Sequence, residues 1–495
     1  MWRPETFRKV GIFFNVQVSN CRITLIVVGM GFSSFSESYI MGHTSAFVAG
    51  LFQEKEELQL TDDDISWIMS LMFASMVLGT LLATLITEKL GRRIPVVIFN
   101  IPVLIHWFML YYGQNKYVFM VARLLAGIGF GGILPMIYMA TAECSSPKMR
   151  GFNLAIITTG TTAIGATVGW NLAILLDWRT AALIGTAPTV ISVIIPLFCV
   201  ESPPWLASKG RFDECEAAFT SLHGLKPSAQ KELQLILEVE KSKLSNSDKN
   251  TNTVSLIIRR LKVAASKRYF WNLMLLTNII TIYKMITGRI LFGTYGMIIL
   301  QKMTGQSDIL PYTLAISGIN IVGSWFTSYI LKKVNVRSLL FPAGILNSLL
   351  LIGLSICLYV IPESYDNSLL VWTKVMLYII HLSIVQVVLF PILEALPSEL
   401  YPLEIRGACS TIVAFIGTVF IFVILKVTPA MFELLDTYGV FTTNAVAMLI
   451  FLLYLWIKLP ETKGRTLHDI ELNLKNEKCV FKDDNMSPEL TKELI

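Results

Sequence analysis

Charge is scarce in this 495-residue chain. Asp, Glu, Lys and Arg make up 15% of it, against about 25% in a soluble domain. A soluble fold of this length would lack the polar surface to cover itself. Cysteine is scarce as well. There are seven, with no C-x-x-C spacing, which excludes a secreted disulfide scaffold and gives no metal-ligand pattern. No phosphate-binding loop or catalytic constellation stands out, so neither ATP-driven transport nor an enzyme is expected, and no cofactor or metal is implied. The 41 Lys and Arg are nearly balanced by 35 Asp and Glu and lie scattered between apolar stretches, so no face is built for nucleic acid.

Apolar length is what the chain has. Hydrophobic residues make up 54% of it, which excludes disorder for most of its course. A helix needs roughly 20 mostly apolar residues to cross a bilayer. Twelve blocks qualify, at about 22–42, 64–87, 94–113, 117–141, 152–175, 180–200, 269–298, 309–331, 338–361, 371–397, 407–427 and 436–458. They are too long and continuous for barrel strands. The first does not read as a cleaved signal, because Arg3, Arg8 and Lys9 lie far ahead of it and no small-residue cleavage site follows. The expectation is an all-α, multi-pass integral membrane protein whose surroundings are the lipid bilayer. Residues 1–21 form an N-terminus, 22–205 a six-helix bundle, 206–268 a polar linker with short helices, 269–458 a second bundle and 459–495 a tail.

Lys and Arg placement orients the blocks. Lys55, Lys116, Arg179, Lys302, Lys374 and Lys426 fall on one set of alternate loops. Arg123, Lys284 and Arg289 fall inside blocks, and the rest lie on the other side with the linker and both termini, which are therefore assigned to the cytosol. The first outer loop is acidic, with Glu54, Glu56, Glu57, Asp62, Asp63 and Asp64.

The two halves repeat each other. Glu143 with Arg150-Gly151 follows the fourth block, and Glu399 with Arg406-Gly407 follows the tenth. Glu201-Ser202-Pro203-Pro204-Trp205-Leu206 follows the sixth, and Pro460-Glu461-Thr462-Lys463-Gly464-Arg465 follows the twelfth. Glu88-Lys89-Leu90-Gly91-Arg92-Arg93 has a worn copy in Lys332-Lys333-Val334-Asn335-Val336-Arg337. Two parallel six-span repeats around a midplane site are a transporter design. With Arg123-x3-Gly127-x-Gly129 and Lys209-Gly210-Arg211, these motifs resemble the sugar porters of the major facilitator superfamily over about residues 22–471. They look most like the insect branch that includes facilitated trehalose transporters. The resemblance implies a major facilitator fold with twelve transmembrane helices in two pseudo-repeats, a central site and carrier-type transport.

Arg92, Arg93, Arg150, Arg337 and Arg406 share helix ends with Glu88, Glu143, Glu201, Glu399 and Glu461. Arg forks match carboxylates bidentately. The expectation is a cytosolic gate of ion pairs that hold in one state and part in the other. Fixing topology alone would need the Arg but not the Glu. The glycines of the fourth block read as helix packing. Pro391 and Pro397 predict a bend in the tenth block.

In sugar porters, amides and hydroxyls from the fifth, seventh, eighth, tenth and eleventh spans face the sugar. The resemblance places Thr158, Lys284, Met285, Asn320, Gln386 and Glu394 at such positions, with the eleventh-span position near Gly417. Lys284-Met285-Ile286-Thr287-Gly288-Arg289-Ile290 departs from the usual Gln-Gln-(Leu/Phe)-Ser-Gly-Ile-Asn, and Glu394 replaces a Trp. A charge at bilayer depth is costly and faces a partner or a cavity. Lys284 and Glu394 can pair, bind a charged or zwitterionic solute, or, in the case of Lys284, titrate during transport. The first block has no acid at Gly31-Phe32-Ser33, where proton-linked porters carry Asp; Glu37 and Arg123 are the possible coupling pair. His106 reads as a packing histidine. The expected function is facilitative uniport of a hexose or a disaccharide such as trehalose at the plasma membrane, with no obligate protein partner. The alternatives are a same-fold carrier of a charged or zwitterionic solute, a proton-coupled symporter, and a non-transporting nutrient sensor.

Overall fold

The structure, a computed structural model, describes residues 4–146, 149–224, 227–246, 262, 265–266, 268–306, 309–333, 336–360, 368–401 and 406–459. Within these, side chains are described except at 4–21, 227–228, 243–246, 268–269, 324–333, 336, 368, 395, 398–399 and 406–408.

All twelve apolar blocks fall on helix, and no strand occurs among the described residues. Seven blocks are single helices: Pro4–Gln53, Asp62–Leu90, Arg93–Tyr112, Lys116–Cys144, Trp178–Phe198, Leu310–Lys333 and Val336–Val360. The fifth is interrupted, as Arg150–Ala155, a π-helical turn Ile156–Thr161, and Thr162–Leu175. The seventh breaks into Arg268–Ile286, Arg289–Thr294 and Gly296–Thr304, and the tenth into Ser368–Ile384, a π turn Val385–Leu389 and Phe390–Leu400. The last two blocks form Arg406–Lys458, broken at Asp436 where φ is 53° and ψ −180°. Among the described residues, nine helices are long and apolar enough to cross a membrane.

Their outer faces fit hydrocarbon. Leu85 is 64% exposed, and Ile450 and Leu453 are each 63% exposed. In water such stripes would drive association; in a bilayer they meet acyl chains. The helices of the first six blocks pack mainly on one another, as do those of the last six. The two sets meet where the second block touches the eleventh-block portion of Arg406–Lys458, the fifth touches the eighth, and the first touches the seventh.

The fourth block packs through its glycines. A Cβ at Gly127 or Gly131 would sit 2.0 Å from the carbonyl oxygen of Met72 or Met76 on the second block. Only an absent side chain allows that approach. The linker forms short helices, Pro203–Ser208, Phe212–His223 and Pro227–Asn246, around Trp205, Leu206, Cys215 and Phe219. This end of the bundle is called the linker end below, and the opposite end the distal end. Lys374, expected on a distal loop, lies instead inside Ser368–Ile384 and is 2% exposed.

Candidate functional site

At the linker end the second and third blocks meet at Gly91. Its φ is 88°, and a Cβ there would lie 2.5 Å from Glu201 Oε2. The bare backbone lets Glu201 accept the N–H groups of Arg92 (2.7 Å) and Arg93 (3.3 Å), at a helix start that favours a carboxylate. The Arg92 side chain forks onto Glu143, with Nε and Nη2 each donating at 2.9 Å. The Ser202 hydroxyl donates to the same carboxylate. Arg93 Nη1 donates to the carbonyl of Cys199 (3.1 Å), where the sixth block ends. Glu88 and Arg150 are exposed and make no ion pair among the described residues. Arg150 faces the linker. There, burial holds His223 below the usual imidazole range, with Glu232 opposing and Arg150 adding to the effect.

The second copy of this arrangement is different. Arg337 donates to the carbonyls of Leu459 and Trp456, both at 2.9 Å. It caps the twelfth block as Arg93 caps the sixth, satisfying carbonyls that a helix end leaves open. It meets no carboxylate among the described residues. The counterpart of Arg92 is Val336, so no fork can form. Glu461 and Asn335 lie outside the described residues, as do the side chains of Glu399 and Arg406.

At the distal end the acidic loop gathers the cations. Lys55 pairs with Asp62 (2.7 Å), Lys116 with Asp64 (3.0 Å) and Arg179 with Glu54 (2.8 Å). Lys426, from the second half, pairs with Asp63, donates to Ser66 (2.8 Å) and lies 4.4 Å over the Trp67 ring. Two further ties cross between the halves. Ser45 accepts the N–H of Met297 (2.8 Å), an otherwise open donor at the start of Gly296–Thr304. Asn171 donates to Ser317 (3.0 Å) and accepts from Thr313 (2.9 Å).

Between the two ends, both π turns face the eighth-block helix. In the fifth block, Thr158, Thr161 and Thr162 donate to the carbonyls of Leu154, Ile157 and Thr158 at 2.8, 2.5 and 2.6 Å. These hydroxyls compete with backbone donors and loosen the ladder. In the tenth block, Pro391 has no N–H, and its ring crowds the carbonyl of Val387 inside the turn. The expected bend is thus taken up by a π turn, and Pro397 stays within the following helix. Such turns cluster at functional sites. They hold Thr158 and Gln386 on segments that pack against the helix carrying Asn320. The Oδ1 of Asn320 is buried without a hydrogen bond. Gln386 is half-buried and makes no hydrogen bond among the described residues.

Lys284 and Glu394 meet. Nζ and Oε2 are 2.7 Å apart, with the lysine side chain 14% exposed and the glutamate 54%. Phe390 lies beside them, its ring centre 5.6 Å from Lys284 Nζ and 3.6 Å from the guanidinium of Arg289. Gly288, with a φ of 92°, ends one helix and starts the next, and Arg289 at its first position stacks on Phe390. Met285 is half-buried. Gly417 has no side chain to offer a solute, and a Cβ there would meet the Thr281 methyl at 2.7 Å.

Glu37 and Arg123 are both buried, at 4% and 1% exposure, but they form no ion pair. Arg123 donates to the Thr44 hydroxyl (3.0 Å) and lies 5.2 Å over the Phe47 ring. Thr44 is about two helical turns from Glu37 along the first block, so the pairing expected from sequence is not made. Glu37 Oε1 has no partner. His106 is packed in the core, with Nδ1 at 2.9 Å from the carbonyl of Ala122.

Two helix sets meeting at a polar seam, with ion networks at the helix ends, form the major facilitator fold. The model of the Sugar (and other) transporter family matches residues 23–474, and the chain belongs to that family. It is 24% identical over 463 residues to Sugar transporter ERD6-like 6 of Arabidopsis thaliana, covering 90% of this chain and 89% of that one. It is 21% identical over 465 residues to Facilitated trehalose transporter Tret1 of Bombyx mori, covering 94% and 89%. Among solved structures, the inward-open conformation of the xylose transporter XylE from E. coli superposes with a TM-score of 0.74 at 16% identity, covering 91% of this chain and 99% of that one. That likeness is one of fold.

Proposed function

We propose that the chain moves a hydroxylated solute of the sugar class across the plasma membrane, down its gradient, by alternating access. The buried, unbonded amide oxygen of Asn320 carries this reading, with the half-buried Gln386 amide in the neighbouring π turn. A buried amide without a partner is costly, and a sugar hydroxyl, both donor and acceptor, completes it. The facilitated trehalose transporters among the relatives support the same solute class. The Lys and Arg bias supports a cytosolic linker end, with both termini on that side.

The ties through Lys426, Ser45 and Asn171 support a state closed at the outer, distal end. In that state Arg150 is without a carboxylate. The gate therefore rests on Arg150 and Arg406 finding Glu399 and Glu461 when the inner mouth shuts. Arg92, Arg93, Glu143 and Glu201 fasten the first half to itself and stay paired throughout the cycle. A second reading is proton-coupled symport, favoured by the buried, unpartnered Glu37.

Radiolabelled glucose and trehalose uptake in cells expressing the chain, with and without a proton uncoupler, tests both readings. Uniport predicts saturable uptake indifferent to the uncoupler. Collapse of uptake by the uncoupler, with the sensitivity lost in Glu37→Gln, would establish symport instead. Arg150→Ala is expected to cut uptake about tenfold, roughly 1.4 kcal/mol, at near-normal surface expression. Wild-type uptake by that variant would sink the gate.

A further inference from the structure

We propose that the solute bears one negative charge, a carboxylate on an otherwise hydroxylated, sugar-like molecule, and that Arg289 receives it. The inference rests on the sugar-class reading above and narrows it.

Arg289 is half-buried at membrane depth, yet its guanidinium makes no hydrogen bond or ion pair among the described residues. None of its nitrogens is sealed off without a partner, so its N–H groups open onto free space. One face of the guanidinium is stacked on Phe390 at 3.6 Å. Stacking fixes the plane and leaves the N–H edge directed elsewhere, which is how an arginine is set up to fork onto a planar carboxylate. Arg289 makes no ion pair with Glu394, which already holds Lys284 at 2.7 Å.

The charges do not balance. Lys284 and Arg289 supply two positive charges around Phe390, and Glu394 one negative. Glu37, on the first block, is buried with its Oε1 unpartnered. It is paired with neither cation. A cluster with one excess cation at bilayer depth is unfavourable until an anion arrives. One carboxylate balances it. A phosphate monoester, at about −1.5 to −2, would overshoot. Asn320 and Gln386 remain for the hydroxyls, so the charged and hydroxylated parts of one molecule have separate partners.

The test uses the full-length protein in proteoliposomes, with glucuronate as the anionic probe and glucose and trehalose as neutral ones. The expected result is saturable glucuronate uptake at least tenfold more efficient than glucose uptake. In Arg289→Gln the glucuronate-to-glucose ratio should fall at least tenfold, and Arg289→Lys should lie between the two. A measurement on the unaltered protein guards against misfolding of the variants: glucuronate, but not glucose, should raise its melting temperature. Saturable glucose or trehalose uptake that glucuronate neither joins nor inhibits overturns this inference and leaves the sugar-carrier reading standing. Absence of transport and of thermal stabilisation by all three probes, in protein that melts cooperatively, overturns both.

Discussion

The two halves of the molecule handle charge in opposite ways. The first half fastens itself at its linker end: Arg92 forks onto Glu143, Glu201 takes two backbone amides, and Gly91 makes room for both. Among the described residues the second half keeps the helix cap, in Arg337, and carries an ion pair at mid-depth, between Lys284 and Glu394. The difference between Arg92 and Val336 is one residue, and it removes the guanidinium that makes the fork in the first half. The first half therefore reads as a braced frame. The second half reads as the part whose polar groups face the solute and whose helices, interrupted in the seventh and tenth blocks, are free to adjust.

The sharpest way to break this comparison is at Lys284 and Glu394. Glu394→Gln or Lys284→Gln breaks this ion pair and leaves the other member without its partner at membrane depth. Because Glu394 is 54% exposed, the cost is set at the low side of the range for buried pairs, about 1–2 kcal/mol. Each single variant should lose roughly tenfold in uptake, and the double variant should lose less than either. Additive losses would show that the two act independently. Next comes Arg92→Ala, which leaves Glu143 with the Ser202 hydroxyl but no cation in a half-buried site. It should cost about 2 kcal/mol, seen as a melting temperature lower by several degrees in detergent, with a smaller loss of uptake. An unchanged melting curve would mean that the frame is no better braced than its copy. The smallest effect is expected from Arg337→Lys, which keeps the charge and gives up part of the cap, at about 0.5–1 kcal/mol. A loss as large as that of Arg92→Ala would make the two copies equals and end the comparison.

Much of this was legible in the sequence, for definite reasons. A continuous apolar run can satisfy its backbone in a membrane only as helix or closed barrel, so the twelve blocks fell on helix. The repeated Glu and Arg marked the helix ends because charge is tolerated there. The meeting of Lys284 and Glu394, distant in sequence, was foreseeable from the cost of leaving either alone. The interruptions were not legible. Four threonines and one glycine from 158 to 162 look like ordinary helix until the hydroxyls of three of them are seen to take carbonyls. Glu37 and Arg123 misled for the opposite reason. Opposite charge at similar depth implies a pair, but Thr44 and the Phe47 ring had already taken the guanidinium.

The amide of Met297 has a consequence of its own. Its acceptor is the Ser45 hydroxyl of the opposite half, so parting the distal ends strips the start of a helix of its bond. In hydrocarbon that amide would stay bare, whereas in a wetted cleft water can take the place of the serine. Opening is therefore tied to hydration: the cleft must flood as it parts. The balance between open and closed should follow the osmotic strength of the medium, with excluded solutes drawing the molecule toward its closed form.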